Sequence, residues 1–205
     1  MVADVSSLIP MALAALLGLV VGSFVNVLIH RLPLMLERDW QAGHESTGEA
    51  PPAFNIAVPA SHCPHCLHPL HWHDNIPVLS YLALRGRCRH CSASISWQYP
   101  AVELATAGLF VWSVTQHGLG ATAVAWAGFA ATLLALAVID ARTTLLPDAL
   151  TQPLTWAGLM AAFWGCSGVS LPDALWGAVG GYLFLWSVYW LFRLLTGQEG
   201  MGQGD

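Results

Sequence analysis

Four cysteines dominate the chemistry available to this chain. They are spaced C-x2-C-x21-C-x2-C, as Cys63-Pro64-His65-Cys66 and Cys88-Arg89-His90-Cys91. Two such pairs at this separation match a four-thiolate zinc site, whose soft ligands converge tetrahedrally on one ion. The fifth cysteine, Cys166, stands alone in an apolar segment and reads as a small core residue. His62, His65, His68, His71, His73 and His90 crowd the same polar stretch. They could substitute as ligands, but four thiolates complete a structural shell without them, so they read as loop residues or as hydrogen-bond donors around the ligands.

Two aspartates form the second chemical feature. Asp140 closes an apolar run in Ile139-Asp140-Ala141-Arg142, and Asp205 follows Gly200-Met201-Gly202-Gln203-Gly204. Alone, Asp140 reads as a solvated residue beside Arg142, and a Gly-x-Gly-Asp tail is weak evidence of anything. Together they can do more. Two carboxylates brought close share a proton, so that the ionised member activates water and the protonated one polarises a carbonyl. Glycines before Asp205 let its backbone approach another segment closely. Asp148 is the rival partner, although after Leu146-Pro147 it reads as the cap of the following helix.

The elements that must position these groups are membrane helices. Charged residues are 9% of the chain and hydrophobic ones 56%, against about 25% charged in soluble domains. Leu8 to Ile29 is apolar and uncharged, long enough to span a bilayer. It has no basic flank or small-residue cleavage site and reads as a retained anchor. A polar stretch from His30 to Pro100 follows. From Leu104 to Ile139 no charged residue occurs, and His117-Gly118-Leu119-Gly120 is the natural turn between two spans. A weaker span runs from Pro153 to Cys166 and a stronger one from Ala174 to Phe192.

The expected fold is thus an all-α polytopic membrane protein of about five transmembrane helices carrying a cytoplasmic zinc-ribbon-like insertion. It divides into a first span (1–29), a zinc-binding loop domain (30–100) and a transmembrane domain (101–205). Five spans with an external N-terminus put all seven arginines (Arg31, Arg38, Arg85, Arg87, Arg89, Arg142, Arg193) on the cytoplasmic side. A reducing cytoplasm favours metal ligation over disulfides. The net charge of −5 is diffuse and no basic stripe suggests nucleic acid. On the first helix Gly22, Asn26 and His30 form a stripe that serves helix packing or a substrate contact. Glu103, at the start of the second span, is a functional acid or a helix cap.

Several of these segments match one family. Gly22-Ser23-Phe24-Val25-Asn26-Val27-Leu28-Ile29-His30-Arg31-Leu32-Pro33 resembles the opening signature of the bacterial prepilin peptidases, the type IV leader peptidases. The resemblance continues through both cysteine pairs, Asp74-Asn75-Ile76-Pro77-Val78-Leu79-Ser80, Arg85-Gly86-Arg87-Cys88, Tyr99-Pro100-Ala101-Val102-Glu103-Leu104 and the two aspartate motifs. It implies a multi-pass aspartic protease of the bacterial inner membrane. Such an enzyme cuts basic leaders from prepilins or type II secretion pseudopilins after a glycine, with Asp140 and Asp205 as the catalytic pair. It also implies N-methylation of the new N-terminus with S-adenosylmethionine, an activity that neither composition nor spacing indicates. Leu67 and Ser92 stand where the family has a glycine after each second cysteine, so mild strain at the metal site is expected. The family continues past this aspartate with a basic residue and further helices, so the chain reads as a fragment ending at Asp205, inactive by itself. The competing readings are a non-catalytic membrane-anchored zinc-ribbon assembly protein of a pilus or secretion system and, last, a transporter.

Overall fold

The computed structural model describes residues 5–44 and 54–197. Six α-helices account for most of them: α1 (Val5–His44), α2 (Leu79–Ala83), α3 (Gln98–His117), α4 (Ala121–Thr143), α5 (Asp148–Phe163) and α6 (Leu171–Thr196). Among the described residues, three stretches are long and apolar enough to cross a membrane, at Leu8–Gln41, Ala121–Thr143 and Leu171–Thr196. The chain forms two compact units, Met1–Leu145 and Leu146–Asp205.

In the first unit α1 lies along α3, and α4 packs against both. Small residues set the spacing. A Cβ added to Gly18 would sit 2.6 Å from the Ala107 Cα, and one on Gly22 would sit 2.7 Å from the Glu103 Cα. The two backbones therefore touch, as small residues four apart permit in membrane helices. On α4, Ala123, Ala127, Ala131 and Ala135 recur every fourth residue, and all are buried. Ser113, fully buried on α3, donates a 2.7 Å hydrogen bond to the Ala123 carbonyl across the interface. The turn between α3 and α4 falls at Gly118, whose φ of 70° suits a residue without Cβ.

The first helix runs well beyond the apolar run that ends at Ile29, through Pro33 to His44. Proline removes one donor from the helical ladder, a loss that packing on neighbouring helices absorbs. Leu32 and Arg31 supply that packing: both are buried. The Arg31 guanidinium donates to the carbonyls of Asn55 and Pro59 at 2.8 and 2.6 Å, tying the start of the polar loop to the helix. Arg38, two turns on, lies over the Phe54 ring at 3.9 Å.

The second unit contains α5 and α6. Pro147 occupies the N-cap position of α5 and Asp148 the first helical turn. Asp148 is therefore not the cap read from the sequence: its carboxylate complements the helix dipole instead of accepting a capping bond. Ser170 caps α6, accepting from the Asp173 N–H and donating to the Asp173 carboxylate at 2.6 Å. Gly197 ends that helix with φ 68°. Cys166 falls in the turn after α5, half-buried, with its thiol 3.8 Å from the Trp164 carbonyl. It is a turn residue and not the core residue expected.

Candidate functional site

The polar loop between α1 and α3 builds its centre from two matching knuckles. In the first, the Cys63 N–H donates to the His68 carbonyl and the Leu67 N–H to the Cys63 carbonyl. In the second, the Cys88 N–H donates to Ala93 and the Ser92 N–H to Cys88. Isolated bridges His62↔Pro69 and Arg87↔Ser94 close the two turns. Each turn needs one residue in the left-handed region directly after its second cysteine. Leu67 (φ 57°) and Ser92 (φ 58°) take that role, so the strain expected at these positions is present.

The knuckles face each other and gather the four sulfurs. All four Sγ atoms of Cys63, Cys66, Cys88 and Cys91 lie within 4.8 Å of one another and could hold a metal ion. The Cys63–Cys91 and Cys66–Cys88 separations are 3.8 and 4.0 Å. A tetrahedron with metal–sulfur bonds of about 2.3 Å has edges of about 3.8 Å, so these residues fit a thiolate-bound ion. Backbone N–H groups of Cys66 and His65 point at Cys63 and hold its thiol down at about 6. The Ala93 N–H works in the same direction on Cys91, but loss of water and the three neighbouring thiols push it up to about 11. Cys63 therefore loses its proton well before Cys91.

Polar side chains of α1 and α3 join these two helices to each other and to the loop. Asn26, buried on α1, donates to the Tyr99 carbonyl at 3.0 Å. With Gly22 against Glu103, this places two members of the stripe in helix packing. Gly18 belongs to the same face; its spacing of four from Gly22 was the signal available in the sequence. Glu103 is buried one turn and more inside α3, and its carboxylate accepts the Val78 N–H at 2.7 Å. It secures the residue before α2 and does not cap its own helix. Val78 has φ 59° and ψ −45°, with Leu79 N–H bonded back to the Pro77 carbonyl. This is a positive-φ γ-turn, a strained conformation for a β-branched residue. The buried carboxylate holds it.

Asp74 fastens the second half of the loop. Its side chain, 7% exposed, accepts two bonds from the Arg89 guanidinium at 2.8 and 3.1 Å and one from the His71 N–H. Burial alone would raise this carboxyl, but Arg89 and the His71 N–H outweigh it and hold it below the usual carboxylate value.

Asp140 occupies the last turn of α4 and is exposed; its carbonyl accepts the Thr144 N–H at 2.8 Å as the helix ends in a left-handed residue. A carboxylate at a helix C-terminus opposes the peptide dipoles, by about 0.3–1 kcal/mol. Asp140 is thus no choice made for helix stability. Asp205 lies outside the described residues.

Fold and centre together define a multi-pass helical membrane protein with a four-cysteine loop between its first two long helices. A model of the bacterial peptidase A24 N-terminal domain matches residues 16–117, and one of the type IV leader peptidase family matches residues 127–205. Curated relatives named prepilin leader peptidase/N-methyltransferase match nearly the whole of this chain. The one from Burkholderia pseudomallei is 50% identical over 95% of this chain and 65% of its own length. Those from Stutzerimonas stutzeri and Pseudomonas aeruginosa are 52% and 51% identical over 94% and 93% of the chain and 68% and 67% of theirs. The chain belongs to the type IV leader peptidase family. It spans about two thirds of the length of these relatives. No solved structure matches it significantly.

Proposed function

We propose that the protein is an aspartic endopeptidase of the bacterial inner membrane that removes leader peptides from prepilins or pseudopilins. The observation that carries this is the half-identity to prepilin leader peptidase/N-methyltransferases along nearly the whole chain, with both family models in register. The leader peptidase match begins before Asp140 and runs to Asp205. These two residues are assigned as the catalytic pair. The ionised aspartate takes a proton from water, whose oxygen attacks the carbonyl carbon of the residue before the cut. The protonated aspartate donates to the carbonyl oxygen. The resulting tetrahedral centre collapses as the leaving nitrogen gains a proton and the C–N bond breaks. Asp140, exposed at a helix end, is open to water and to a chain emerging from the membrane.

In this reading Cys63, Cys66, Cys88 and Cys91 hold zinc, which supplies a structural crosslink and no chemistry. N-methylation of the freed N-terminus with S-adenosylmethionine is the companion activity suggested by the relatives' name; no residues are assigned to the donor. α3 and α5 are the remaining membrane crossings, and the thiolate loop and both aspartates face the cytoplasm, where all seven arginines then fall. The test is leader cleavage in membranes carrying the full-length protein. Asp140→Asn and Asp205→Asn should each abolish it, while zinc content follows Cys88→Ser and ignores Cys166→Ser. Cleavage that survives either aspartate change rejects the assignment of that residue.

A further inference from the structure

The loop holds a second set of metal-type donors that the four-thiolate centre does not use. His68, His71 and His90 each offer a ring nitrogen, and the three atoms lie within 4.8 Å of one another. The rings of His68 and His90 are 3.5 Å apart between centroids. His68 follows the first knuckle, His90 sits inside the second, and His71 precedes the short 3-10 turn Trp72–Asn75. Three stretches of loop therefore converge on one place at the surface. Among the described residues no hydrogen bond engages the rings of His68 or His90, and the His71 side chain accepts the Asp74 N–H as a cap, which leaves its other ring nitrogen to a metal.

From this geometry we infer a second, exchangeable site for a divalent transition metal, held by His68, His71 and His90. Neutral imidazoles suit zinc, nickel and copper and are poor partners for magnesium or calcium. Metal–nitrogen bonds of about 2.0–2.1 Å require donors about 3.3 Å apart. Small ring rotations achieve this, since His71 and His90 are exposed. The backbone beneath them is already fixed. Asp74 grips the His71 N–H with one oxygen and the guanidinium of Arg89, the neighbour of His90, with the other. It is a positioning residue that locks two of the three donor-bearing stretches together. Three protein ligands leave a coordination position open, which is the pattern of exchangeable and reactive centres and not of closed structural ones. This inference stands independently of the peptidase assignment.

The test uses the full chain purified without a polyhistidine tag, dialysed, and then titrated with Zn2+ at neutral pH. The first equivalent should survive dialysis, and a second should bind reversibly in the micromolar range and be removed by a weak chelator. His68→Gln and His90→Gln should each weaken only the second equivalent, by tenfold or more. Asp74→Asn should weaken it by a smaller factor. Co2+ added to the zinc-loaded wild type should give visible bands without a near-ultraviolet sulfur-to-cobalt absorption. A wild type that takes up one equivalent only, or a Co2+ spectrum carrying that sulfur band, overturns the site, whatever the variants do.

Discussion

At the scale of single residues, the loop is governed by two carboxylates that turn into the protein and grip backbone. Glu103 holds the strained Val78 turn through one short bond. Removing it leaves a half-buried N–H without a partner, which costs about 1–3 kcal/mol. Glu103→Ala should therefore lower stability by that amount in detergent melts, while Glu103→Gln, which can still accept through its amide oxygen, should lose less than half as much. Asp74 gives a pH signature. Its carboxyl lies below the ordinary value of 3.8 in the folded protein, so its contribution is fully present above 3.8 and is lost as the pH falls through its folded value. The partner Arg89 is 48% exposed, which limits the pair to about 1 kcal/mol or less. Asp74→Asn should destabilise the loop at pH 7 and match wild type once the acid limb is passed, measured by hydrogen exchange across residues 60–97. A difference that persists undiminished below that limb would mean the side chain acts by shape and not by charge.

At the scale of elements, the α1–α3 contact carries the architecture. Gly18 and Gly22 let the two helices touch, Asn26 bonds to Tyr99 across them, and the loop hangs from this pair through Arg31 to the carbonyls at 55 and 59 and Glu103 to Val78. Gly22→Val forces the backbones apart and should destabilise by about 1–3 kcal/mol, with looser metal retention as Glu103 moves. Gly108→Ala, on the same α3 but with nothing within 4 Å of the added carbon, should be neutral. Equal effects of the two changes in thermal unfolding would contradict the close approach. Much of this level was legible in the sequence. Cysteine spacing fixed the centre because thiolate geometry admits few loop lengths, and the paired glycines at 118 and 120 marked the α3–α4 turn. Other features were hidden because they depend on tertiary contacts. The apolar run of the first span ends at Ile29, yet α1 continues through Pro33 to His44, with Arg31 and Leu32 buried. Glu103 reads as a functional acid or a cap of its own helix, yet its carboxylate reaches back to Val78. The histidine cluster was counted as loop because no linear spacing brings His90 to His68.

At the scale of the whole molecule, the described residues combine a rigid small-residue helix packing with a metal-type loop and leave Asp140 exposed at the end of α4. The glycines let the helices pack closely, and the acid at the helix end opposes the helix dipole. The central claim is that Asp140 serves catalysis. The most direct measurement is the rate of prepilin leader cleavage by Asp140→Asn in the full-length protein in membranes, read beside its melting temperature and zinc content. Loss of one member of an acid–base pair removes on the order of 10²–10⁴-fold in rate. The prediction is a fall at the upper end of that range, with melting temperature equal to or slightly above wild type because the unfavourable helix-end charge is gone, and with zinc unchanged. Asp148→Asn should stay within a few-fold of wild type. A variant that cleaves at the wild-type rate, or one that loses activity only because it melts early and sheds zinc, would contradict the assignment.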